Sequence, residues 1–408
     1  MKSKKILIIN PIALFPKVMA SQDRLINMIK RLGRDHTVDV VTYVKDKRQW
    51  RESMEHVPPL CNRFFPITAI NAPHKYIRSR IHRLGFYLGR KLFHTPVLYS
   101  HYTHRHYFNA LDRIVREGEY DVVQMEYWFA ASYLGRVPAS CYKAIDTIDI
   151  MFDKKRQELI REYGEPLAPA QQKELARYKE LEIEALGCAD LHISISRADQ
   201  RVLDQLHPQI ANILIPSGQD VEFFSRRSDV PHRPRRILFY GSMGSDPNIQ
   251  GFFRFWNNIL PLVRRQCPDV EVVVLGANPP DSIRRLHNGD DVLVTGFVDD
   301  VRPHIASAAV MVLPLNVAAG FRSRIVDVMA MGVPVIGTRH TLHSIDMEHG
   351  VHGYISESDE QLAAHTVSVL QDPTLRKKLS DQCVHLVATR YTIDATFGAL
   401  SRFYRDHI

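Results

Sequence analysis

The sequence predicts two doubly wound α/β domains joined by a short basic linker, and three observations carry that expectation. Short apolar runs alternate with longer amphipathic stretches along nearly the whole chain, the pattern of parallel strands with helices on both faces. The length, 408 residues, exceeds what one ordinary core accommodates. Between Phe224 and Arg236 the composition turns polar and basic and includes Pro231 and Pro234, which reads as an exposed interdomain segment.

Taken in order, the first half offers strands at Lys5–Ile9, Thr37–Tyr43, Asp121–Glu126, Lys143–Ile148 and Leu191–Ser194. Helices are expected at Ser21–Leu32, Tyr107–Arg116 and Ala170–Leu186; in the last, Leu175, Tyr178, Leu181, Ile183 and Leu186 supply a buried face. After the linker, strands are expected at Arg236–Tyr240, Val270–Leu275, Val292–Thr295, Val310–Leu313 and Pro334–Gly337. Helices fall near Asn248–Gln266, Val301–Ser307, Ser323–Met331, Asp359–Gln371 and Leu375–His385, with Asp246 as an N-cap ahead of Pro247. The division is therefore 1–224, 236–390, and a terminal helix over 391–408 that crosses back to the first domain. Two such domains would face each other across a cleft, with ligands outside the carboxyl ends of the strands.

Composition narrows the class. Hydrophobic residues at 45% and charged residues at 24% supply ample core, so no metal or disulfide staple is needed. Lys and Arg outnumber Asp and Glu by 53 to 45, which favours anionic partners without choosing among nucleotides, lipid and nucleic acid; for the charge alone, an ordinary basic surface is the better reading. The five cysteines are scattered with no CxxC, as expected of free thiols in a reducing compartment. The apolar run Ile6–Ile9 is too short for a signal peptide or a span, and the expectation is a cytoplasmic protein. The histidines lack zinc-site spacing, so no metal is expected. No nucleic-acid-binding motif stands out.

The most informative stretch follows the Val310–Leu313 strand and runs from Gly320 to Pro334. Gly320 lets backbone approach a ligand closely. A helix opens near Ser323 and presents free N–H groups to an anion. Arg322 and Arg324 add two permanent cations beside it. Asp327, one turn in, carries an acceptor-only carboxylate suited to a sugar diol. Gly332-Val-Pro334 ends the helix. That is a diphosphate-plus-ribose site; a plain strand-loop-helix with surface arginines reads the same residues equally well.

The run Arg324-Ile-Val-Asp-Val-Met-Ala-Met-Gly-Val-Pro-Val-Ile resembles a signature of glycosyltransferase family 4, the group 1 glycosyl transferases. Further landmarks follow in family order. Phe239-Tyr-Gly241-Ser-Met243 resembles the strand and phosphate loop that open the second domain, and Val294-Thr-Gly296-Phe-Val298 the base-binding loop. Ile193-Ser-Ile-Ser196, Ile215-Pro-Ser-Gly218-Gln-Asp220 and Asp146-Thr-Ile-Asp149 resemble first-domain landmarks. The resemblance implies a GT-B architecture and retaining transfer of a sugar from a UDP- or GDP-sugar to a glycan or lipid-linked acceptor, in cell-surface polysaccharide or glycoconjugate synthesis. It implies no catalytic metal and no cofactor. Asp149, Arg324 and Asp327 are the implied catalytic residues. Gly241, Ser242, Met243, Gly296, Phe297, Gly320, Phe321, Arg322, Arg324 and Asp327 are the implied donor-binding residues.

Departures from the family pattern leave alternatives open. Ala319 stands where the first of two glutamates is usual, and Asp327 replaces the second. Pro247 takes the place of an expected cation, and Ile148 that of a histidine. Met19-Ala-Ser21 stands where a glycine pair is usual in the first loop. A nucleotide-sugar epimerase and a catalytically silent binding subunit remain as other readings. The segment His74–His106 is dense in Arg, Lys, His and Tyr, with Ile77, Ile81, Leu84, Leu88 and Leu92 on one helical stripe. It reads either as a patch for an anionic membrane at the inner face, or as a helix packed on the domain with a solvated basic side, which the stripe favours.

Overall fold

The computed structural model describes residues 3–17, 19–68, 102, 105–227, 229–316 and 321–408. It divides into two compact units: Met1–Gly218 with Thr396–Ile408, and Gln219–Ala395. Each is an all-parallel sheet with helices between consecutive strands, the GT-B pair of Rossmann-like domains.

In the first unit β1 (Lys5–Asn10), β2 (Thr37–Val44), β3 (Arg63–Thr68), β4 (Val122–Glu126), β5 (Tyr142–Asp146), β6 (Leu191–Ser194) and β7 (Ala211–Leu214) lie in the order β3-β2-β1-β4-β5-β6-β7. β1 and β4 are buried along nearly their whole length, as strands covered on both faces must be. Leu7, Ile9, Val123, Met125 and Ile145 form the centre of the core. The terminal helix Ile393–His407 buries Phe397, Leu400 and Tyr404. Its Tyr404 hydroxyl donates to Gln124 Oε1 on β4 at 2.7 Å, which ties the chain's end to the first unit.

The second unit contains β8 (Arg236–Tyr240), β9 (Glu271–Leu275), β10 (Val292–Gly296), β11 (Val310–Leu313), β12 (Val335–Thr338) and β13 (Gly353–Ser356), ordered β10-β9-β8-β11-β12-β13. Ile237, Leu238, Val273, Val312, Val326 and Met329 are among its fully buried residues.

Two local expectations need correction. Ser245, not Asp246, is the N-cap of the helix that follows β8; Asp246 is already inside its first turn. The single helix expected to Gln266 is Asp246–Arg254, a π turn at Phe255–Ile259, and Leu260–Gln266. The π turn stands directly ahead of Pro261, which has no N–H for the Asn257 carbonyl and crowds it. Strands β3, β7 and β13 were not expected from the sequence; all three are sheet edges, and β3 carries Pro66. Among the described residues no helix is long and apolar enough to cross a membrane. Nearly all of the basic segment His74–His106 lies outside the described residues; its Tyr102 is buried against Phe129 and Tyr43.

Candidate functional site

In the second sheet the chain winds outward in opposite directions from β8 and β11: β9 and β10 lie on one side, β12 and β13 on the other. The loops leaving the carboxyl ends of β8 and β11 therefore diverge, and the crevice between them is where such sheets bind ligands. Gly241–Met243 follows β8, and Arg322 opens the helix that follows β11, so the sequence-predicted residues of the two sides flank that switch point.

The β8 loop is held tightly. Gly276, at φ +148, approaches so closely that a Cβ there would fall 1.7 Å from the Gly241 carbonyl oxygen. A Cβ on Gly241 itself would meet Asn248 Nδ2 at 2.8 Å, and that amide donates to the Ser242 carbonyl at 2.9 Å. The Gly241 N–H donates to Leu275 and the Met243 N–H to Ala277. Two amides expected to face the diphosphate are thus committed to the fold, and the Met243 side chain is fully buried. Ser242 is the one of the three whose N–H has no backbone acceptor among the described residues.

The β11 side carries the charge. The helix Ser323–Ala330 starts at Arg322 with no side-chain cap. It ends in a Schellman motif, with Gly332 N–H on the Met329 carbonyl and Val333 N–H on Val328, Gly332 taking φ +77. Asp327 sits on this helix and is 7% exposed. Arg324 lies outside the surface of β8, its guanidinium carbon 5.3 Å from the Tyr240 ring centroid. Arg322 is largely buried and its Nε has no hydrogen-bond partner among the described residues. Burial and the neighbouring Arg324 charge pull its pKa down to about 10. Other arginines around this edge are paired: Arg254 with Asp359 at 2.7 Å, Arg302 with Asp300 at 2.8 Å, Arg339 with Glu357 at 2.8 Å. Arg322 and Arg324 have no ion-pair partner among the described residues. Phe321 is half-buried against Tyr391, 5.9 Å between centroids. Gly320 and Ala319 lie outside the described residues.

Gly296, at φ +67, closes β10, and the following Phe297 is 76% exposed. Two strand spacings separate β10 from β8, roughly 10 Å. A flat apolar ring exposed past the carboxyl end of β10 offers a face on which a nucleotide base could stack.

A recess of about 330 Å³ opens at the amino ends of β11 and β12, lined by Arg226, Arg227, His232, Arg376 and Lys377. Its cations are already satisfied. Arg226 and Lys377 share Asp381, Arg227 pairs with Asp229, and Arg376 donates to the Val369 carbonyl at a helix end.

Asp149 belongs to the first unit, just past β5, and so lies on a different domain from Arg324 and Asp327. Burial raises its carboxyl to about 6, partly opposed by Lys154 at 3.9 Å. Its neighbourhood is strained: Ile148 and, at the end of β4, Tyr127 both take φ +63. Beneath them Arg24 pairs with buried Asp146 at 2.7 Å, and burial plus the Asp146 charge hold the Glu126 carboxyl well above its ordinary range. Neither Tyr127 nor Tyr240 was singled out from sequence, because an aromatic residue at a strand end reads as packing. Among the described residues no cluster of three or more His, Cys, Asp or Glu side chains is placed to hold a metal ion.

Residues 234–372 match the family described as Glycosyl transferases group 1. A curated relative, N-acetyl-alpha-D-glucosaminyl L-malate synthase of Bacillus anthracis, is 26% identical over 145 residues, covering 34% of this chain. That stretch spans 38% of the relative's own length. Among solved structures, sucrose-phosphate synthase from Thermosynechococcus elongatus superposes with a TM-score of 0.70 at 17% identity, over 99% of both chains. Anabaena Alr3699/HepE in complex with UDP does so with a TM-score of 0.66 at 14% identity, over 98% of both chains. At these identities the structural likeness establishes the fold. The chain thus has a two-domain GT-B fold in which residues 234–372 are similar to the group 1 glycosyl transferases.

Proposed function

We propose that the protein transfers a sugar from a UDP- or GDP-sugar to a glycan or lipid-linked acceptor, with retention at the anomeric carbon and without a metal ion. The observation that carries this reading is that Arg322 and Arg324, at an uncapped helix start on the β8/β11 switch point, have no ion-pair partner among the described residues. A diphosphate would relieve their mutual repulsion and satisfy the helix amides together. Asp327 would accept from the ribose hydroxyls, and Phe297 would stack on the base. The family match to residues 234–372 supports the reading, as does the Anabaena protein's complex with UDP-glucose.

In the reaction the bond from the anomeric carbon to the diphosphate oxygen breaks, and charge grows on the departing diphosphate. Two guanidiniums held in place beforehand stabilise that charge without reorganising. The acceptor oxygen bonds to the anomeric carbon from the same face, and its proton passes to the departing phosphate oxygen. Asp149, with its raised carboxyl, would contact the acceptor side. The test is incubation with a panel of UDP- and GDP-sugars and oligosaccharide or polyprenyl acceptors, following nucleoside diphosphate release and product anomeric configuration by NMR. Release of UDP or GDP with formation of an α-linked product from an α-linked donor supports the proposal. An inverted product overturns retention, and conversion of the donor to its epimer without acceptor overturns transfer.

A further inference from the structure

Tyr240 is the last residue of β8, at the switch point, and is not among the residues so far given a role. Its ring is half-buried against the second core and presents a face to Arg324, whose guanidinium carbon lies 5.3 Å from the centroid. Its hydroxyl feels the charges of both Arg324 and Asp327. Burial pushes the phenol up to about 12, the Asp327 charge adds to that rise, and the Arg324 charge opposes it. Arg324 itself is exposed and has no carboxylate partner among the described residues, and Arg322 beside it repels it. A long side chain in that situation samples many rotamers and loses entropy on binding an anion. An aromatic face under the guanidinium removes much of that freedom beforehand.

We propose that Tyr240 is a positioning residue for diphosphate binding: its ring fixes the Arg324 guanidinium over β8. This inference rests on the nucleotide-sugar reading above. It predicts that Tyr240 matters for the phosphates and not for the nucleoside, because its contact is with the cation.

The test is a double-mutant cycle on the full chain. Affinities for UDP, GDP and the corresponding nucleosides are measured by calorimetry, or by competition where weak, for wild type, Tyr240→Phe, Tyr240→Leu, Arg324→Gln and the Tyr240→Leu/Arg324→Gln pair. Tyr240→Leu is expected to weaken diphosphate binding about fivefold to thirtyfold and to leave nucleoside binding unchanged. Unchanged nucleoside binding also shows that the variant is folded. Tyr240→Phe, which keeps the ring, retains most of the diphosphate affinity. In the Arg324→Gln background Tyr240→Leu has no further effect. Equal loss for nucleoside and diphosphate, full additivity of the two substitutions, or an unchanged diphosphate affinity in Tyr240→Leu overturns the inference while leaving the nucleotide-sugar reading intact. A wild-type chain that binds neither UDP nor GDP overturns both.

Discussion

Replacing Arg322 by Gln should make the ligand-free protein more stable and its diphosphate binding weaker. The guanidinium is largely buried, its Nε is unpartnered among the described residues, and burial together with Arg324 lowers its pKa from 12.5 to about 10. A drop of that size corresponds to up to about 3 kcal/mol of unfavourable free energy for holding the charge in the folded chain. The sign is that of a base with a depressed folded pKa. At neutral pH the group is charged in both states, so the cost is present in full, and it is relieved only as pH rises above about 10. Gln removes the charge and keeps a polar head. Urea unfolding at pH 7 should therefore show a gain on the order of 1–3 kcal/mol. Losing a charge-assisted contact to phosphate should weaken UDP or GDP binding by about 1.5–3 kcal/mol, roughly tenfold to a hundredfold. The two effects have opposite signs, which a general packing defect does not produce. A variant that is less stable than wild type and binds the diphosphate as tightly would refute the reasoning.

Other expectations follow from the first unit. Arg24→Ala leaves Asp146 buried and unpaired, and chemical denaturation should show a loss of about 3–5 kcal/mol; a loss under 1 kcal/mol would count against the ion pair as a determinant of stability. Asp149 has a folded pKa near 6, above its ordinary value of about 3.9, so the native state holds the extra proton between those limits. Its contribution then falls by up to about 3 kcal/mol as pH rises from 4 to 6, and Asp149→Asn should flatten the stability curve over that window. An identical slope in the variant would place the titration elsewhere. Asp327→Ala should weaken nucleotide binding roughly tenfold to a hundredfold, since a charged acceptor facing two hydroxyls contributes about 1.5–3 kcal/mol.

The sequence made the sheet interiors legible and the sheet margins obscure. Strands such as Val310–Leu313 and Lys5–Asn10 are near-continuous apolar runs because both faces are covered by helices. Arg63–Thr68, Ala211–Leu214 and Gly353–Ser356 are edges, need less apolar surface, and gave no such run. The same distinction holds at the candidate site. Arg322, Arg324 and Asp327 stand out in one-dimensional sequence because their charges precede and enter an otherwise apolar helix. What Gly241 and Met243 do is invisible there: their amides are consumed by Leu275 and Ala277, thirty-four residues on in each case, through strand pairing that only the folded sheet reveals. Tyr240 was hidden for the converse reason, since an aromatic residue ending a buried strand reads as core until Arg324 is found on its face.

Calorimetric titration of wild type and Asp327→Ala with UDP, GDP, ADP and CMP tests the central claim most directly, that the β8/β11 crevice of the second domain holds a nucleoside diphosphate. The account predicts saturable one-to-one binding of UDP or GDP to wild type, weakened roughly tenfold or more in the variant. Absence of binding to any of the four, or a diphosphate affinity that the variant shares with wild type, would contradict it.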